Sequence, residues 1–278
     1  MPRRRHSAGF TLIEMIVAMV VAAIIVGFAS MMVTTPIQSY LAQSRRAALS
    51  DSAETAMRAL TSDIRRALPN SVRTGMNGTV RVLELIDVQY ITQFRIAGTG
   101  DLMTIGSADN GFDTLNLVPV GVPTNGLRLV VGNRRDSDAA NSAYRTNGAS
   151  GVITPAGTNV DINAGLNHVN INPMFNFTQG SPNRRAYIIG NVTRYRCDPN
   201  TGELRRVRAQ LNDNIDAGAT IGPSELIASD ISACSFQITD STANHGGIVV
   251  VELMVTRNVD GNAENLRMLR QIPVENAT

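Results

Sequence analysis

Glu14 is the residue whose type and position carry the most chemistry. It stands at the head of a long run in which Met15 to Ser44 contains no charged residue. A carboxylate inside lipid costs about 2.5–3.5 kcal/mol on insertion scales, so such a residue calls for a functional partner. Elsewhere the possible chemistry is thin. All 25 basic residues are Arg, which excludes Schiff-base, lysine general-base and phosphate-loop lysine chemistry. Cys197 and Cys234 are the two cysteines; neither has a CxxC partner, and beyond residues 1–9 the histidines are His168 and His245, a poor basis for a metal site. Asp109-Asn110-Gly111 with Asp113, and Asp136 with Asp138, offer oxygen ligands but do not continue into a Ca²⁺ loop, so they read as polar turns. Arg194, Arg196, Arg205, Arg206 and Arg208 gather around one hairpin. They form either an anion-binding stripe or a solvated strand face. Poor aromatic interleaving favours the latter, and nucleic acid is not expected as a partner. Gly148-Ala149-Ser150-Gly151 has the wrong spacing for a nucleophile elbow, and His245 beside Gly246-Gly247 has no evident nucleophile. No enzyme activity and no cofactor are expected.

The element that holds Glu14 is an apolar segment. Phe10 to Val33 is almost wholly apolar and long enough to cross a bilayer, which takes about 20 residues. Residues 1–9 carry Arg3, Arg4 and Arg5 and no acid. The positive-inside rule keeps that end cytoplasmic and sends the C-terminal bulk across the membrane. A secretory signal peptide fits less well: its apolar region is usually about 7–15 residues and its small-residue junction follows that region. A plain membrane anchor on a soluble domain is the remaining bland reading.

Gly9-Phe10-Thr11-Leu12-Ile13-Glu14 resembles the processing motif of type IV prepilins and of the pseudopilins of type II secretion. The likeness covers about the first 35 residues. It implies cleavage after Gly9 by a membrane-embedded prepilin peptidase, methylation of the new amine of Phe10, and assembly into a filament with other pilin subunits through the N-terminal helix. Each residue type has a physical reason. Gly9 lets the backbone lie extended against a protease. Phe10 keeps the new terminus apolar. Glu14 needs a cation, for which the Phe10 amine of a neighbouring subunit is the natural candidate in a filament. Loss of one partner of such a buried pair costs about 3–5 kcal/mol, so the pair would set axial register.

The rest of the chain reads as α+β. Leu49, Ala53, Met57, Leu60, Ile64 and Leu68 recur at three- and four-residue steps, one apolar stripe of a helix that Pro69-Asn70 ends. Phe10–Leu68 is then one long helix, or two broken at Pro36. Val80–Ile86, Thr114–Val118, Leu127–Val131 and Tyr187–Tyr195 read as strands. Arg194–Arg208 reads as a hairpin turning at Asp198-Pro199-Asn200-Thr201-Gly202, and Ile248–Thr256 with Leu266–Val274 as another. The expected organisation is a leader at 1–9, a helix at 10–68 with its membrane span at about 10–33, and a β-rich domain at 69–278 with antiparallel sheet against the helix. Residues 132–185, rich in Asn, Gly, Ser and Ala, read as surface loop with short strands, either decorative or binding.

Without residues 1–9 the chain holds 22 Arg against 23 acids, a formal charge of −1. If the bulk lies outside the cytoplasm, Cys197 and Cys234 read as a disulfide. Tyr195-Arg196-Cys197-Asp198-Pro199, Thr201-Gly202-Glu203-Leu204 and Ala233-Cys234-Ser235-Phe236 are similar to the C-terminal third of MshO-type minor pilins of mannose-sensitive haemagglutinin pili, and in layout to PilW-type minor pilins and J-type pseudopilins. The implied location is the inner membrane in a single pass with a periplasmic C-terminal domain, then a pilus. The implied role is a minor pilin that primes or joins a filament. A pseudopilin and a filament-displayed adhesin are the alternatives. The acid at Glu14 argues against the topmost position in such a filament.

Overall fold

The computed structural model describes residues 11–116, 126–138, 140–145, 150–163, 167–239, 247–259 and 262–274. The chain is α+β: among the described residues one long N-terminal helix, α1 (Leu12–Arg66), precedes twelve strands. It divides into two compact units, Met1–Ser50 and Asp51–Thr278, so the last turns of α1 belong to the globular unit.

In the first unit α1 begins at Thr11, whose carbonyl accepts from the amides of Glu14 and Met15. It continues as one helix through Pro36. From Leu12 to Leu41 its described large apolar side chains are exposed, Leu12 79% and Phe28 72%. Among the described residues this is the one helix long and apolar enough to cross a membrane.

In the second unit Ala53, Met57, Leu60 and Ile64 are buried, as the helical stripe requires. The helix stops at Arg66, two residues before the expected end. The Leu68 amide turns away to the Ile86 carbonyl at 2.9 Å, and Asn70 takes a left-handed φ of 63°. Tertiary pairing therefore ends a helix whose apolar pattern runs further.

The largest sheet holds β1 (Arg73–Asn77), β2 (Val80–Gln93), β4 (Arg128–Val131), β7 (Arg185–Asp198), β8 (Glu203–Ala209) and β9 (Thr220–Ala228). Its order is β1-β2-β7-β8-β9, with β4 pairing β7, and its ladders are antiparallel. The β7–β8 hairpin closes where expected: the Gly202 amide donates to Asp198, and Gly202 has a φ of 71° that favours glycine. A second sheet orders β10 (Ile231–Thr239), β11 (Ile248–Val259) and β12 (Asn262–Pro273). Cys197 on β7 and Cys234 on β10 are joined by a disulfide, Cα–Cα 6.5 Å, which ties this sheet to the first.

A third sheet, in the order β3-β6-β5, comprises β3 (Ala108–Asp113), β6 (His168–Asn176) and β5 (Asn159–Asn163). Much of the expected loop at 132–185 lies here. Phe112, Val160, Ile162, Val169, Ile171 and Phe177 form a core with Leu129 and Ile188 of the large sheet. The polar composition hid a two-residue alternation: every second side chain of β5 and the first half of β6 points inward. The strand expected at Thr114–Val118 falls instead on β3; Thr114 makes an isolated bridge to Phe94, and Val118 lies outside the described residues.

Candidate functional site

Gly9 and Phe10 lie outside the described residues, so the site that can be built begins at Thr11. Glu14 sits in the first turn of α1, where an acid complements the positive end of the helix. The Thr11 hydroxyl faces its carboxylate at 3.4 Å. Among the described residues no ion pair to Glu14 is formed, and its neighbours Ile13, Met15 and Ile16 are exposed apolar side chains. The arrangement is one acid at the end of an uncovered apolar rod. Chemically it can do one thing well: accept a cation in a medium that excludes water.

The globular unit uses its charges internally. Glu84, 1% exposed in the middle of β2, accepts from Arg73 Nε (2.9 Å) and Nη2 (2.7 Å), from Arg194 Nε (2.5 Å) and from the Asp216 amide (3.0 Å). Arg73 also reaches Asp136 at 3.3 Å and lies 3.6 Å over the Tyr144 ring. Burial pushes the Arg73 guanidinium down; Tyr144, Glu84 and Asp136 more than offset this, and its pKa is raised overall. Sequence reading passed over this cluster. One signal was present: Glu84 interrupts the apolar alternation of residues 80–86.

Four of the five hairpin arginines are neutralised in the same way, while Arg208 is exposed and forms no ion pair among the described residues. Arg194 goes to Glu84, Arg196 to Asp216 (3.3 Å), Arg205 to Glu203 (2.7 Å), and Arg206 to Asp63 (3.1 Å) and Glu225 (2.7 Å). A stripe in which four of five cations already hold carboxylates offers phosphates Arg208 alone as an uncommitted cation among the described residues. Arg206 and the Tyr195 hydroxyl (2.7 Å) converge on Asp63, which fastens the last turns of α1 to β7 and β8. Burial first, and the Asp63 hydrogen bond second, raise the Tyr195 pKa well above its ordinary value. Arg270 of β12 holds Glu54 of α1 at 2.9 Å.

The aspartates noted in the sequence serve as turn acceptors. Asp109 accepts from the Thr104 and Gly111 amides, and Asp138 from the Asn141 side chain. Asp113 meets His168 Nδ1 at 2.9 Å, a contact that holds the Asp113 carboxyl below its usual range. Among the described residues no group of three or more His, Cys, Asp and Glu is placed to hold a metal ion. His245, Gly148 and Ala149 lie outside the described residues.

No curated protein and no solved structure matches this chain. Residues 4–30 match the family model of the prokaryotic N-terminal methylation motif. That span covers Phe10, Glu14 and most of the uncharged run, so the feature that dominates the sequence and the uncovered helix of the structure coincide with a type IV pilin-like signal.

Proposed function

We propose that the chain is a minor pilin: it is cut after Gly9, methylated on Phe10, held in the inner membrane by the first part of α1, and built into a type IV pilus of the mannose-sensitive haemagglutinin kind. The methylation motif carries this reading, because it implies a prepilin peptidase and assembly with other pilins. The MshO-like part of the reading rests on the resemblance of the Cys197 and Cys234 segments to such minor pilins. Glu14 would pair with the Phe10 amine of the next subunit, since an uncovered apolar helix offers it no cation of its own. The role is structural, with the globular unit as cargo or contact surface and no substrate. Intact mass and N-terminal sequencing of the protein from native membranes test the proposal. A methylated Phe10 start is expected; retention of residues 1–9 in cells with active prepilin peptidase refutes it.

A second reading, a filament-displayed binding subunit, is favoured by one observation. The β3-β6-β5 sheet packs a buried apolar core onto the large sheet, more than a decorative loop needs. Deletion of residues 132–185 that spares piliation but abolishes adhesion supports display, whereas loss of filaments supports a purely structural role.

A further inference from the structure

We propose that Arg128 is the protein half of a carboxylate-binding subsite, completed by an acidic group from outside this chain. Arg128 opens β4 at a break in the large sheet. The β7–β8 ladder ends at Val192↔Ala209, and the β7–β4 ladder begins at Ile189↔Arg128. Strand alternation puts Arg128 on the same face as Val130, which packs with Ile86, Ile189 and Val192. Arg128 thus stands at the end of β4 nearest that gap, only 8% exposed, with its side chain reaching Thr154, which flanks β4 on the edge opposite β7.

Three arginines are buried among the described residues: Arg73, Arg128 and Arg194. Two have a carboxylate at 2.7 and 2.5 Å. Arg128 has none. Its Nε donates to the Thr154 carbonyl at 2.7 Å, and its Nη2 is buried without a hydrogen-bond partner among the described residues. Burial alone lowers its pKa, to about 10. The nearest acids along the chain, Asp136 and Asp138, are committed to Arg73 and to the Asn141 side chain. An unpaired buried cation is costly, and a fold that supplies counterions to two of three leaves the third for a ligand. The ligand class follows from what remains free. With Nε committed, the Nη1/Nη2 edge matches one planar carboxylate, while a phosphate would leave oxygens unmatched.

The test is thermal unfolding of the full chain in neutral detergent, for wild type, Arg128→Met and Arg128→Lys. Sodium formate and the sodium salt of N-acetylglutamate amide are compared with sodium chloride at equal ionic strength. Carboxylate should raise the wild-type midpoint above chloride; at ten times its dissociation constant, linkage multiplies the folding constant about elevenfold. Arg128→Met should lose that increment and melt no lower than wild type in chloride. Arg128→Lys, which keeps charge but not the fork, should keep less than half of it. A response to formate alone marks a site that admits only a small free carboxylate; a response to N-acetylglutamate amide marks one that also admits an acidic side chain. Equal responses in wild type and Arg128→Met, or no carboxylate response in wild type, overturn the proposal.

Discussion

Glu84→Gln is the sharpest test of how the globular unit is held together. The change keeps shape and removes one charge. It leaves Arg73 and Arg194, 7% and 4% exposed, facing an amide that accepts less strongly and offers donors to donors. Removing one member of a buried pair costs about 3–5 kcal/mol. Here Asp136 stays 3.3 Å from Arg73 and Asp216 3.4 Å from Arg194, so part of the charge remains balanced. The low end, about 3 kcal/mol, is expected, which for a unit of this size lowers the melting temperature by about 6–12 °C. The chain has no Trp, so near-ultraviolet circular dichroism of its tyrosines is the suitable probe, on the detergent-solubilised protein. Glu203→Gln, which loses only a half-exposed pair with Arg205, is the control and should shift the midpoint by about 2–4 °C at most. A Glu84→Gln midpoint within about 2–4 °C of wild type, the equivalent of 1 kcal/mol, would show that Glu84 is not the counterion of the two arginines.

Other predictions follow from the same physics. Glu14→Leu should be processed and inserted normally yet be depleted from sheared filaments; wild-type levels in the filament fraction would remove the assembly role of the carboxylate. Cys197→Ser with Cys234→Ser opens a loop of 37 residues and should cost about 4 kcal/mol in the chain-entropy model, read as a lower urea midpoint; an unchanged midpoint refutes the tie between the sheets. Phe112→Ala empties the core under the β3-β6-β5 sheet and should cost about 3–5 kcal/mol, with protease sensitivity appearing first between 150 and 176. Asp87 has its pKa raised by burial and by Asp63, so the native state holds its proton more tightly than the unfolded chain does. Its favourable contribution is present below the ordinary aspartate range and is lost as pH rises through the folded value. Asp87→Asn should therefore be more stable than wild type at neutral pH, with the gap closing in acid; a gap that widens in acid contradicts the sign.

The N-terminal third was legible in the sequence because its determinants are local. Composition and length fix an apolar span, and one acid in thirty uncharged neighbours declares itself without any partner being known. The β7–β8 and β11–β12 hairpins were legible for the same reason: turn residues and alternation act over a few positions. The stripe from Ala53 to Ile64 gave the buried helix face. What the tertiary structure decided was long-range. Glu84 and Arg194 are 110 residues apart, and only the β2–β7 register places them opposite each other, drawing Arg194 from an expected solvated strand face into a buried charge network. Residues 159–176 looked like loop because most of their side chains are polar; pairing with β3 gave their few apolar residues a core to enter. Periodicity reveals which face is apolar, and register alone decides what that face, and each charge beside it, will meet.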